Sequence, residues 1–116
     1  MKNAISLHVS HPSAKRTEHF LNRVEEELVQ IPFDWQKLKR ADVVSGAAKL
    51  VTKDRSIAIV VVFADSYLDA NEIASANAFP ELLHARWTVN GDVLYLVEAA
   101  DQDKVSALLS LFAGEE

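Results

Sequence analysis

The feature that most constrains the fold is an uninterrupted apolar run at residues 57–64, which reads Ile-Ala-Ile-Val-Val-Val-Phe-Ala. The run is rich in β-branched residues and has the length of a strand, well short of the roughly 20 apolar residues that span a bilayer. A strand without alternating polar residues is typically buried on both faces. The sequence therefore predicts a central strand in a sheet that other elements cover from both sides.

Two hairpins are predicted around this strand. The polar turn at residues 53–56 places residues 47–52 beside it, and Gly46 marks a β-bulge, although residues 46–50 are also compatible with a helix. Later in the chain, Asn90-Gly91 separates two β-rich runs, which predicts a type I′ turn with positive φ at both residues. One face of that hairpin would hold Ala85, Trp87, Val89, Leu94 and Leu96, and the other Arg86, Thr88, Val93, Tyr95 and Val97. Both faces are largely apolar, so we expect both to be covered.

The N-terminal part predicts a strand followed by a long helix. Residues 4–9 alternate enough to form the strand, and Pro12 suits the first position of the helix. Apolar residues then follow at helical spacing as far as Pro32, at Phe20, Leu21, Val24, Leu28 and Ile31. Pro32 is expected to end this helix.

Two shorter helices are predicted in the second half of the chain. Asp69 and Glu72 have the spacing of a capping box, with a helix over residues 70–78 after it. The last helix begins at an Asp101 cap and stops at Gly114. Its apolar stripe has the spacing i, i+3, i+4 and i+7, with Val105, Leu108, Leu109 and Phe112.

These elements predict one α/β (α+β) domain over residues 1–116. The order β-α-β-β-α-β-β-α gives a mixed, mainly antiparallel five-stranded sheet with three helices. Its first six elements follow the βαββαβ order of ferredoxin-like folds. The length of 116 residues, with 49% apolar and 25% charged residues, is typical of a single globular domain.

The chain contains no cysteine, which excludes disulfides, Cys-based zinc sites, iron–sulfur clusters and thiol nucleophiles. The N-terminal apolar run is too short and too interrupted for a signal peptide. No stretch is long enough to span a membrane. We therefore expect a cytoplasmic protein that does not enter membranes.

The candidate catalytic and metal-binding residues form no known motif. His8 and His11 have the spacing H-x-x-H, but three residues along a strand they point to opposite faces, and His19 lacks acids at matching spacing. No nucleophile elbow or phosphate-binding loop is present. We predict no metal, no cofactor and no catalytic residue, and the sequence does not favour an enzyme.

The sequence is compatible with two further sites. Asp65 follows the central strand, where α/β sheets often bind ligands, and with His84 and Arg86 it could form a small-ligand or enzymatic site. Alternatively, Asp65 or Ser66 simply caps the next turn.

Basic and aromatic residues also interleave after Pro32, as in nucleic-acid-binding surfaces, at Phe33, Trp35, Lys37, Lys39 and Arg40. The acidity of the chain argues against a nucleic-acid partner, since affinity for nucleic acid rests on neutralised phosphates.

The charge pattern supplies the functional hypothesis. The net charge is −5, but residues 1–55 carry +3 and residues 56–116 carry −8, with no Lys or Arg from position 56 to position 85. The acidic residues of that segment are Asp65, Asp69, Glu72 and Glu81. They predict an anionic patch that docks a basic protein partner with electrostatically steered association.

The function predicted from this pattern is a small acidic cytosolic protein-binding module. Its form would be an inhibitor or immunity-type antagonist of a basic enzyme such as a nuclease. Two alternatives remain open beside the ligand site: an ordinary solvated acidic surface, and a homodimer whose sheet or last helix pairs across a two-fold axis.

Overall fold

The central apolar run lies at the middle of a five-stranded antiparallel sheet. The computed structural model describes residues 3–77 and 84–114, with His84 described by its backbone alone. Within these ranges the strands are β1 (Leu28–Ile31), β2 (Val44–Thr52), β3 (Ile57–Ala64), β4 (His84–Asn90) and β5 (Val93–Ala99). Three helices accompany them: α1 (Ala14–Asn22), α2 (Tyr67–Ala76) and α3 (Gln102–Phe112). The sheet order is β1-β2-β3-β5-β4, with every ladder antiparallel, so the predicted α+β class is confirmed.

The alternation of side chains along β3 divides the core into two layers. Ile59, Val61 and Phe63 face α1, α3 and the N-terminal segment. Val60 and Val62 face α2 on the opposite side of the sheet. All five are 7% exposed or less, which explains the absence of polar alternation in this run. Full burial of each such side chain stabilises the fold by about 1.5–3 kcal/mol, so β3 organises both layers.

The prediction was wrong at the N-terminal end. Residues 4–9 form no strand and lie outside the sheet, and the long helix ends at Asn22. The side chains of α1 bond the backbone of this segment: Asn22 Oδ1 accepts from Ile5 N at 2.6 Å and Glu18 Oε2 accepts from Leu7 N at 2.6 Å. These bonds replace the ladder that a sheet would supply.

The first strand, β1, lies in the segment predicted as the end of that helix. Its four residues pair with Lys49–Thr52 of β2. Val24 and Leu28 are buried in the layer around α1 and α3. The helical spacing therefore predicted correctly which residues are buried. It did not predict the backbone conformation, because pairing with β2 decides that conformation.

The predicted hairpins are present, with one correction. Residues 47–51 pair with β3 across the turn at 53–56, and the register shifts between Val44 and Gly46, as expected for a bulge. The second turn comprises Gly91 and Asp92, since Asn90 pairs with Val93, and only Gly91 has positive φ (62°). The predicted type I′ turn at Asn90-Gly91 is therefore wrong by one residue.

Asn90 remains in the strand because its side chain is engaged elsewhere. Its Nδ2 donates to the Phe112 carbonyl at the end of α3 at 2.8 Å, and its own carbonyl accepts from Arg16. Moving the turn by one residue shifts the cross-strand pairing by two, so the predicted faces of the hairpin are preserved. Residues 93–97 of β5 are buried, but Arg86 and Trp87 of β4 are exposed, so the expected cover on both faces holds for β5 only.

The ferredoxin-like order is found only in part. β3, α2 and β4 form a split β-α-β unit, because β5 lies between two parallel strands and is antiparallel to each. The other half is missing, since residues 4–9 do not enter the sheet. Among the described helices, none has the length and apolarity needed to cross a bilayer.

Candidate docking surface at the start of α2

Three of the four predicted acidic residues lie around the beginning of α2, and Glu81 lies outside the described residues. Asp65 follows β3 directly, Asp69 lies in the first helical turn, and Glu72 lies one turn later. The structure thus groups the described acidic residues at one end of one helix.

The helix starts earlier than the capping box predicted. Ser66 is the N-cap residue: its backbone is extended, and its Oγ accepts from Asp69 N at 3.1 Å. Asp69 is therefore inside the helix and not its cap, which corrects the expected start at residue 70. A carboxylate in the first turn interacts favourably with the helix dipole, so Asp69 also stabilises α2.

Arg40 partly neutralises this acidic group. Its Nη1 bonds Glu72 Oε2, its Nη2 lies 4.0 Å from Asp69 Oδ1, and its Nε lies 3.8 Å from Asp42 Oδ1. The anionic patch predicted from the sequence is therefore partly compensated, at Asp69 and Glu72. The carboxylates around this end of α2 are those of Asp42, Asp65, Asp69 and Glu72, and the Arg40 guanidinium contacts three of them, so three negative charges remain formally in excess.

Two large apolar side chains are exposed between these acids. Tyr67 is 58% exposed and Leu68 is 71% exposed, both in the first turn of α2. Beside them a shallow groove of about 410 Å³ runs along the outer face of the helix, lined by Arg40, Leu68, Asn71, Glu72, Ser75 and Ala76. The charge pattern of the sequence does not single out Tyr67 and Leu68. The pattern Ser66-x-x-Asp69 could have placed them on a helix surface, since Ser-x-x-Asp marks helix starts.

Asp65, His84 and Arg86 do not form a common site. Asp65 lies at the C-terminal end of β3, and its Oδ1 accepts from Ser45 Oγ at 3.3 Å. Across β5, His84 lies level with Ile57 of β3, and Arg86 lies level with Ile59. At about 3.3 Å per residue, roughly 20 Å of strand separates Arg86 from Asp65. The side chain of His84 lies outside the described part.

His11 is the one histidine with a described side chain that packs into the core, and its surroundings resemble a hydrolase site only superficially. Its Nε2 lies 2.9 Å from the Ala64 carbonyl, and its Nδ1 accepts from Ser13 N at 3.1 Å. Ser13 Oγ donates to Asp92 Oδ1 at 2.6 Å, so this hydroxyl is bound to a carboxylate and not to the imidazole. A nucleophile needs the base at its own hydroxyl, which this arrangement does not provide.

The remaining candidate residues have structural partners or contact solvent. His8 and His19 are exposed, and within residues 3–77 and 84–114 no three His, Asp or Glu side chains are placed to hold a metal ion. Phe33 and Trp35 pack against the core layer under α2. Lys37 is exposed and its Nζ lies 3.8 Å from Asp34 Oδ2, while the Arg40 guanidinium contacts Glu72 and Asp69.

Comparisons of the chain with protein-family models, curated proteins and solved structures return no match.

Proposed function

We propose that this chain is a small acidic protein-binding module. Its docking surface is the start of α2, defined by Asp65, Tyr67, Leu68, Asp69 and Glu72. The partner is a protein that presents lysines or arginines around an apolar contact. The exposure of Tyr67 and Leu68 within one helical turn, next to excess negative charge, carries this proposal.

The apolar pair supplies the centre of the contact. Protein interfaces combine a buried apolar centre with a polar rim, and tyrosine is among the residues enriched at their energetic hot spots. Burying a leucine side chain completely contributes about 1.5–3 kcal/mol. Leu68 leaves most of its surface in water, so a partner that covers it gains much of this free energy.

The acidic residues supply the rim and select the partner. Three formal negative charges in excess attract a basic surface and raise the association rate at low salt. We further propose that the module acts in the cytoplasm as an inhibitor or immunity-type antagonist of a basic enzyme such as a nuclease. A nuclease holds phosphates with cationic side chains, so an acidic protein surface competes directly for that site.

The test begins with affinity capture from the native cytoplasm on the wild-type chain, followed by purification of the captured protein. That protein is then titrated against Asp69→Lys and Asp103→Lys. Both substitutions reverse an acidic residue in the first turn of a helix, in α2 and α3 respectively, so they perturb the helix dipole alike.

The proposal expects a basic captured protein whose affinity falls at least about tenfold with Asp69→Lys, which corresponds to about 1.4 kcal/mol. The affinity should stay near wild type with Asp103→Lys, and it should weaken as salt is raised. Equal affinities for the two variants, without salt dependence, would leave α2 as an ordinary solvated surface and refute the proposal.

A further inference from the structure

The two edges of the sheet are protected very differently. β1 is four residues long, precedes Pro32, and is flanked by the Glu27–Lys53 ion pair, whose Nζ and Oε2 atoms lie 3.4 Å apart. Shortness, proline and charge are the usual means by which an edge strand avoids pairing with another chain. β4 is seven residues long, contains no Pro or Lys, and pairs with β5 without a bulge.

The hairpin geometry shows which backbone groups of β4 face outward. A two-residue turn makes Asn90 and Val93 a hydrogen-bonded pair, and such pairs alternate along the ladder. The N–H and C=O groups of Arg86 and Thr88 therefore point to β5. Those of Ala85, Trp87 and Val89 point away from it, and no described backbone group bonds to them.

We propose that a second copy of this chain pairs with this edge. The two β4 strands run antiparallel about a two-fold axis at Trp87, which joins the sheets of both copies into one. Trp87 then lies opposite the partner subunit's Trp87, and Ala85 opposite the partner subunit's Val89. The outward groups of these three residues form six hydrogen bonds across the axis.

The strand is complementary to itself in this register. Arg86 is the only Asp, Glu, Lys or Arg in β4, and it lies opposite the partner subunit's Thr88, so like charges are not opposed. Trp87 is 43% exposed in the single chain, and cross-strand aromatic pairs are among the favourable ones in antiparallel sheets. The edge therefore offers both backbone bonds and an apolar pair to an identical strand.

The solution mass of the full chain tests the dimer, with matched variants at the two edges. Trp87→Lys and Val29→Lys place the same charge on edge-strand side chains that are 43% and 42% exposed. One chain has a mass of 12.9 kDa, and we expect the wild type and Val29→Lys to have twice this mass in solution. Trp87→Lys should have the mass of one chain. Its far-ultraviolet circular dichroism should match that of the wild type, which shows that it is folded. A monomeric wild type, or a dimer that Trp87→Lys leaves intact, would overturn the proposal.

Amide hydrogen exchange of the wild type reads the pairing without any substitution. In the dimer the amides of Ala85, Trp87 and Val89 should exchange slowly, and dilution should make them fast. The amide of Thr88 bonds to β5 and should stay protected at every concentration. Fast exchange of the three outward amides at high concentration would also overturn the proposal, whatever happens to the variant.

Discussion

Thr17 and Tyr95 show how this core accommodates polar groups. Both residues are fully buried, and their hydroxyl oxygens lie 2.9 Å apart. The Tyr95 ring stacks on Phe112 with a centroid distance of 4.8 Å. Burial raises the pKa of the Tyr95 hydroxyl, so the neutral form that shares this hydrogen bond is favoured.

This pair predicts a strong energetic coupling. Thr17→Val removes the Thr17 hydroxyl that bonds Tyr95 in the core, and Tyr95→Phe removes the hydroxyl that bonds Thr17. Each should lower the free energy of unfolding by about 1–3 kcal/mol, because a buried hydroxyl loses a hydrogen bond. The double variant removes both groups and should cost clearly less than the sum. Urea unfolding of the four proteins measures the coupling, and additive costs would contradict it.

The sequence predicted some residues of the docking surface and not others. Asp65, Asp69 and Glu72 were found from charge composition alone, and the structure groups them at the start of α2. Arg40 was not found as their counter-charge, because it precedes Glu72 by 32 positions and reaches the acids only through the tertiary fold. Local sequence signals contain no information on such contacts.

At the scale of elements, the turn between β2 and β3 is stabilised by one carboxylate. Asp54 Oδ1 accepts from Ser56 Oγ at 2.7 Å, from Ser56 N at 3.0 Å and from Thr52 Oγ1 at 2.8 Å. The Ser56 hydroxyl is the largest cause, followed by its amide and Thr52, and together they lower the pKa of Asp54 from 3.8 to about 2.

The lowered pKa predicts an acid-sensitive hairpin. Because the folded pKa lies below the ordinary value, the stabilisation by Asp54 is present above about pH 3.8 and is lost as pH falls towards 2. An NMR titration of the Asp54 carboxyl should give a pKa of about 2 in the wild type, and this pKa should move towards 3.8 in Ser56→Ala. The same titration midpoint in both proteins would contradict this assignment.

The contact between the N-terminal segment and β2 depends on a glycine. An added Cβ at Gly46 would lie 2.9 Å from Val9 Cγ1, which is closer than carbon atoms approach without strain. Gly46 lies at the β-bulge, where the lack of a side chain lets residues 3–9 pack onto the sheet face.

Gly46→Ala should therefore lower the free energy of unfolding by about 1–3 kcal/mol through overpacking. Val9→Ala makes room for the new methyl group, so the double variant should recover part of that loss relative to the sum of the single changes. Thermal or urea unfolding checks this. If Val9→Ala gives no relief, the segment does not pack on Gly46 as described.

Elements were predictable where local pattern and tertiary environment agree. The run at β3, the paired strands around it and the cap and stop of α3 depend on short-range signals, and all are confirmed. The N-terminal part failed because the apolar spacing of Val24 and Leu28 fits a helix as well as it fits the observed turn and strand. Pairing with β2 and the Asn3 side chain, which bonds the Val24 carbonyl and the Leu28 amide, resolve that ambiguity, and neither is local.

For the whole molecule, folding partly cancels the charge division between the halves of the chain. Arg40 from the basic half contacts Glu72 and Asp69, and Lys104 from the acidic half lies 3.2 Å from Glu26. The start of α2 keeps more carboxylates than cations. This end of α2 therefore combines residual negative charge with the two exposed apolar side chains.

The proposed docking surface requires that Tyr67 and Leu68 serve a partner and not the fold. Both are more than half exposed, so alanine at either position should change the free energy of unfolding by less than about 0.5 kcal/mol. Val29→Ala, at a 42% exposed position on the far edge of the sheet, is the control.

Calorimetric titration of the captured basic protein with Leu68→Ala tests this most directly. We predict a dissociation constant at least about tenfold higher than for the wild type, with Val29→Ala unchanged and the stability of both variants preserved. A wild-type dissociation constant for Leu68→Ala would contradict the account.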